Sequence, residues 1–289
     1  MECRSCPRQC GVSRPNGFCR MGDQPKIARA ALHLWEEPCI SGENGSGTVF
    51  FSGCSLRCVF CQNRPISEEG FGRDVSVEEL RQIFERLINA GAHNINLVNP
   101  THFVDAIAEA LDKPLSAPVV YNTGGYDKVE SLKKLEGKVQ VYLPDMKYAL
   151  LEPAKRYSAA ADYPEIAKAA ILEMVRQTGP YQLDEKGMLT RGVLIRHLIL
   201  PRNLENTRRV IDWVVDTFPK GTVLFSLMSQ YTPCGDLSCY PEINRRLTRR
   251  EQEVVETYLF DKGWEEGFVQ ERDAADKLYI PSFDLTGVE

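Results

Sequence analysis

Cys54-Ser-Leu-Arg-Cys58-Val-Phe-Cys61 follows directly on the strand-like run Thr48-Val-Phe-Phe-Ser-Gly53. Three thiolates supply three bonds, whereas a four-iron cubane has four corners to hold. This spacing therefore leaves one iron open to bind something that reacts. A closed, structural site would need a fourth ligand from elsewhere. Zinc knuckles pair two short chelates across a longer gap. A single three-cysteine run, with Phe60 before its last member, fits iron–sulfur better.

The rest of the chain sets the context for that run. Its 289 residues suffice for one large core, and 43% hydrophobic with 26% charged residues is an ordinary globular composition. A net charge of −5 gives no general electrostatic support to a nucleic-acid or anionic-membrane partner. The start Met1-Glu-Cys-Arg has no apolar signal region, and no apolar run reaches the ~18 residues of a membrane span. A cytoplasmic protein is expected, with no nucleic-acid or membrane partner. Ten cysteines would suit a secreted disulfide scaffold only in a much shorter chain, and here they cluster at chelate spacings.

Residues 1–46 read as an irregular, Cys-rich extension punctuated by Pro7, Pro15, Pro25 and Pro38. From residue 47 to 289 strand-like and helix-like segments alternate. Strands are expected at 48–53, 93–98, 118–122, 139–143, 192–200 and 221–228. Ser76 with Glu79 and Thr248 with Glu251 read as capping boxes, and Asp127 with Glu130 as a further helix start. Helices at 102–111, 162–178 and 204–218 complete the set. Six βα units predict an α/β fold, a partial (β/α)6 barrel open on one side. Sites in such folds lie at the carboxyl ends of the strands, which is where the cysteine run falls.

The chain resembles the glycyl-radical-enzyme activases of the radical S-adenosylmethionine (SAM) superfamily, in particular the pyruvate formate-lyase activating-enzyme-like iron–sulfur proteins. The resemblance runs over nearly the whole chain. Its most telling stretches are Cys3-Arg-Ser-Cys-Pro-Arg-Gln-Cys-Gly-Val12, Leu34-Trp-Glu-Glu-Pro-Cys-Ile-Ser-Gly42 and Phe51-Ser-Gly-Cys-Ser-Leu-Arg-Cys-Val-Phe-Cys-Gln-Asn63. It implies a [4Fe-4S] cluster on Cys54, Cys58 and Cys61, SAM, and a flavodoxin- or ferredoxin-type electron donor. It also implies a glycyl radical enzyme as the target, or else a small molecule or peptide.

Site residues carry over unevenly. Where the family has a Gly-Gly-Glu-type stretch, this chain reads Val98-Asn-Pro-Thr-His102, leaving the backbone of Asn99 or Thr101 to meet the SAM amino group. Thr101 could equally cap the following helix. Asn122-Thr-Gly-Gly-Tyr126 stands where activases carry an Asp-Thr-Asn-Gly-type turn, so Asn122 and Thr123 face the SAM carboxylate end. Asp145-Met-Lys147 matches an Asp-x-Lys signature, and the period of two along a strand puts both side chains on one side. Arg196 is placed to grip the SAM carboxylate bidentately, with His197 on the opposite, structural face. Tyr231 falls near the adenosine. Arg57 reads as a solvated surface arginine, and Glu36 and Glu37 as part of a polar stretch ahead of the barrel without an acid–base role.

Cys3, Cys6, Cys10 and Cys19 are four further thiols with no aliphatic core around them, enough to close a tetrahedral zinc site or to hold a second iron–sulfur cluster. Either would order the extension. Cys39, Cys234 and Cys239 read as spectators.

Overall fold

The strand that carries the cysteine run, β2 (Ser46–Phe51), is buried along its whole length. That is the mark of a parallel strand covered on both faces. In the computed structural model, which describes residues 2–270 and 281–288, one mixed sheet is built around it. The other strands are β1 (Lys26–His33), β3 (Arg73–Asp74), β4 (Ile95–Val98), β5 (Val119–Thr123), β6 (Val141–Pro144), β7 (Gln182–Leu183), β8 (Leu189–Leu198), β9 (Leu224–Met228) and β10 (Gly267–Gln270). Their order is β10-β9-β8-β6-β5-β4-β2-β1-β3, with β7 paired to β8. Every neighbouring pair from β2 to β10 in that order is parallel, whereas β1 runs antiparallel to both β2 and β3. Among the described residues β10 does not pair with β1 or β3, so the barrel stays open.

Helices α1 (Pro38–Ser41), α2 (Arg64–Ser67), α3 (Val77–Asn89), α4 (Val104–Ala110) and α5 (Val129–Leu132) alternate with the first strands. They are followed by α6 (Leu151–Ser158), α7 (Tyr163–Thr178), α8 (Leu204–Thr217) and α9 (Arg249–Asp261). The capping boxes at Ser76/Glu79 and Thr248/Glu251 both form, with side chain and backbone bonded reciprocally. Alternation along the strands separates two cores. Val119, Tyr121, Tyr142, Val193, Ile195, Phe225 and Leu227 pack outward under the helices. Val120, Val141, Leu143, Leu194 and Leu224 pack inward with Cys39 and Ile40 of α1. Along the inward rows the side chains turn polar: Asn122 after Val120, Asp145 after Leu143, Arg196 after Leu194, Ser226 after Leu224. The site follows from that change.

Four expectations need correction. Residues 1–46 are not irregular throughout, because Lys26-Ile-Ala-Arg-Ala-Ala-Leu-His33 forms β1 and Pro38–Ser41 forms α1. In β1 the apolar residues Ile27, Ala28 and Ala30 are buried against β2 and α3, so burial rather than a metal orders that part. Asp127 is not a helix cap. Its buried carboxylate accepts from Tyr121 and Thr123, and α5 starts after Lys128 without a side-chain cap. The sixth expected strand is followed by a seventh parallel one, β10, a four-residue edge strand too short and too exposed to show a period. Strand β8 also starts before residue 192, because β7 folds back on Leu189 and Arg191.

Candidate active site

The carboxyl end of β2 turns through Gly53, whose φ of +79° suits glycine, and a Cβ there would meet Met21 Cγ at 2.3 Å. The loop that follows aims three thiols at hydrogen-bond donors. Cys54 Sγ accepts from the amides of Leu56 (3.3 Å) and Arg57 (3.5 Å). Cys58 Sγ accepts from Ser158 Oγ (3.0 Å) and Cys61 Sγ from Ser67 Oγ (3.3 Å). Burial raises the Cys58 thiol, and it pushes Cys61 up to about 12, with Cys58 and Cys54 adding to the rise. Three crowded thiols therefore resist ionising together unless a cation joins them, and bound iron reverses that balance. The donor set fits an iron–sulfur cluster: soft sulfur ligands, each supported by N–H or O–H groups. Among the described residues no three His, Cys, Asp or Glu side chains converge tightly enough for a single metal ion. A cubane, with its own sulfides between the irons, takes thiolates that stand apart.

Next to this loop the strand ends carry a buried ionic network. Arg196 meets Asp145 Oδ1 at 2.9 Å, Glu36 Oε2 at 3.2 Å and Asn122 Oδ1 at 2.7 Å. Lys147 Nζ lies 2.6 Å from Asp145 Oδ2, with side-chain exposures of 22% and 15% that rule out a surface pair. Burial would raise the Asp145 carboxyl, but Arg196 and then Lys147 outweigh it and hold it below the usual carboxylate range. Burial likewise opposes the Lys147 charge, and Asp145 followed by Cys58 overcomes it, raising the ammonium. Lys147 thus lies within electrostatic reach of Cys58 in the cysteine loop. Gly125, at φ +79°, lets the β5 turn close on this strand, since a Cβ would stand 2.1 Å from Asp145 O.

Asn99, Thr101 and Thr123 form a second patch. Asn99 adopts a left-handed φ of +60° and donates its amide to Gly53 O, at the root of the cysteine loop. Thr101 Oγ1 pairs with Thr123 Oγ1 at 3.2 Å instead of capping the helix, and Thr123 donates to Asp127. Tyr231 is buried; its hydroxyl donates to Ile243 O (2.8 Å) and its ring meets Phe60 edge-on at 5.8 Å. Through Phe60 it backs the loop. His197 is structural as expected, bonded to Met146 O and Thr207 Oγ1, and burial lowers it to about 4.

Sequence reasoning missed several members. Glu36 and Glu37 do not lie outside the barrel; the turn into α1 inserts both into it. Glu36 accepts from Arg196 and Asn122, and Glu37 from Ser226 (2.8 Å) and Gln270 (2.8 Å). Burial raises both carboxyls against the pull of Arg196. Glu37 Oε2 is buried without a hydrogen-bond partner among the described residues. Arg57 is not solvated: its side chain is 17% exposed and its guanidinium bonds Phe18 O and lies over the Phe18 ring. Ser158 and Ser67 gave no sequence signal, being ordinary serines until the fold brings them to sulfur.

A family profile described as the Radical SAM superfamily matches residues 48–158. Over 279 residues the chain is 33% identical to uncharacterized protein MJ0674 of Methanocaldococcus jannaschii, covering 90% of this chain and 76% of the relative. Methylornithine synthase (PylB) has a TM-score of 0.50 and 16% identity, over 81% of this chain and 64% of its own. Streptococcus suis SuiB, solved bound to precursor peptide SuiA, has a TM-score of 0.48 and 14% identity over 75% of this chain, which spans only 46% of SuiB. Residues 48–158 thus match a radical SAM superfamily domain, and the open sheet is a partial barrel of the radical SAM type.

Proposed function

We propose that this chain is a radical SAM enzyme of the glycyl-radical-activating type, which draws a hydrogen atom from the Cα of a glycine in a partner enzyme. When bound, the [4Fe-4S] cluster supplies the electron that breaks the sulfonium C–S bond of SAM, giving methionine and the 5′-deoxyadenosyl radical. Cys54, Cys58 and Cys61 hold three corners, and Ser158 and Ser67 orient two of the sulfurs. The backbone at Asn99 and Thr101 takes the amino group of SAM, and Asn122 and Thr123 take its carboxylate end. Three nitrogens of Arg196 are already engaged by Asp145, Glu36 and Asn122, so it meets a carboxylate only by releasing one of them; otherwise it fixes their positions. Lys147 brings positive charge toward Cys58, and Phe60 backed by Tyr231 walls the loop. A flavodoxin- or ferredoxin-type protein delivers the electron in the cytoplasm.

The observation that carries this reading is the three-thiol loop at the end of β2, one ligand short of saturation and beside the buried Asp145–Lys147 pair. Asp145-x-Lys147 and the open sheet edge favour a glycine in a protein as the target. The test is to incubate reduced protein and SAM with candidate glycyl radical enzymes and look for the EPR doublet of a glycyl radical. A second reading, action on a small molecule or peptide, draws on Glu37, whose unpartnered carboxylate oxygen inside the barrel suits a polar substrate group. No doublet, with deoxyadenosine accumulating on addition of a cell-extract fraction, would favour it.

A further inference from the structure

Residues 2–22 hold a defined shape with almost no core of their own: Cys6 and Met21 are their only buried apolar side chains. Cys3 pairs with Gly11 and Val12 through backbone bonds of 3.1 and 2.9 Å, and Gln9 N closes a turn on Cys6 O at 3.0 Å. Arg20 N closes another on Gly17 O. These turns bring four sulfurs together, with Cys6 in electrostatic reach of Cys19, Cys10 and Cys3. Each sulfur faces an N–H group. Cys10 Sγ accepts from Phe18 N at 3.3 Å and Cys3 Sγ from Arg14 Nε at 3.4 Å. The amides of Ser5, Arg8 and Met21, each two residues on, serve Cys3, Cys6 and Cys19. Amides turned onto sulfur two residues back suit thiolates held by a metal.

The same residues reach the cysteine loop. Arg8 sends its guanidinium to Ser55 O (2.7 Å), Ala159 O (2.6 Å) and Ser158 O (2.9 Å), while the Ser158 hydroxyl donates to Cys58. It is also seated over the Phe18 ring at 4.1 Å. Met21, two residues after Cys19, packs on Gly53, the residue before Cys54. Arg14, on Cys3, also bonds His102 O at 2.6 Å. Cys6 and Cys19 are thus tied through Arg8 and Met21, each two residues on, to the backbone around the active-site loop.

We propose that Cys3, Cys6, Cys10 and Cys19, which do not converge tightly enough for a single ion, bind one cysteine-saturated iron–sulfur cluster, and that Arg8 makes its loading a condition for a stable active-site loop. The inference does not depend on the glycyl-radical reading. With four sulfurs engaged, the centre has no corner to offer a substrate, so its part is to order the leader and hold the loop.

Iron, sulfide and zinc counts on anaerobically reconstituted full-length protein test it. The wild type is expected to carry metal beyond the roughly four irons of the active-site cluster. About four further irons identify the cluster, and an additional zinc ion in their place overturns it. Exchange of all four leader cysteines for serine removes that excess and leaves the active-site irons bound but lost to a chelator about tenfold faster, and the triple variant Cys54→Ser, Cys58→Ser, Cys61→Ser keeps the excess. A leader variant with the wild-type metal content, or a folded triple variant with no metal, overturns the site. Arg8→Gln is expected to keep the leader metal yet lose the active-site irons to a chelator about tenfold faster. Release at the wild-type rate overturns the coupling and leaves only the site.

Discussion

Cys54, Cys58 and Cys61 sit in a loop hung from a fully buried parallel strand, whereas Cys3, Cys6, Cys10 and Cys19 sit in a stretch with two buried apolar side chains. The first group borrows its order from the barrel and can afford an unsatisfied corner. The second has a sulfur more and little else to hold it. Ligand number and local core thus run in opposite directions: three thiols hang from the rigid strand, and four stand in the thin leader. The two regions meet at Arg8, Met21 and Arg14, which tie the leader to the backbone around the loop.

The largest effect comes from removing a corner of the open group. Cys58→Ser is expected to lower deoxyadenosine formation from SAM by more than about 100-fold, while Cys10→Ser in the leader lowers it by less than about tenfold. Product quantified by chromatography decides the matter, and equal losses would erase the distinction between the regions. Asp145→Ala comes next. It strands Lys147 and leaves Arg196 only Glu36 and the neutral Asn122, so unfolding stability in urea should drop by about 3–5 kcal/mol.

Gly53→Ala probes the joint. The new Cβ collides with Met21 and must adopt an unfavourable φ, at a cost of roughly 1–3 kcal/mol. Limited proteolysis should then nick the leader before the barrel; simultaneous loss of both would argue against a separable leader. A further effect is on pH. Burial lowers His102, beneath the leader, and His197, behind the ionic network, to about 4 from 6.5. Between those values the unfolded chain binds more protons than the folded one, so stability falls as the pH drops through the window. The slope is up to about 1.4 kcal/mol per pH unit for each histidine. Chemical denaturation at several pH values should show it, and His197→Gln should flatten the slope by about one proton.

Much of this was legible in the sequence because it rests on local rules. The cysteine spacing, the period of two that puts Asp145 beside Lys147, and the capping boxes at Ser76 and Thr248 each need only a few residues. Six parallel strands followed from apolar runs between helix signals. What stayed hidden depends on distant packing. Glu36 and Glu37 read as a polar stretch until the α1 turn carries them into the barrel to meet Arg196 and Ser226. Arg57 and Arg8 look like surface cations until Phe18 slides beneath them. Asp127 has the form of a helix cap, but the buried hydroxyls of Tyr121 and Thr123 compete for it and win.

The central claim is that one iron on the Cys54–Cys58–Cys61 loop lacks a cysteine ligand and accepts SAM. Mössbauer spectra of protein whose active-site cluster alone carries 57Fe, recorded with and without SAM, address it directly. A single iron site whose isomer shift moves when SAM is added is the predicted result. Four irons that all remain unchanged by SAM would contradict the account.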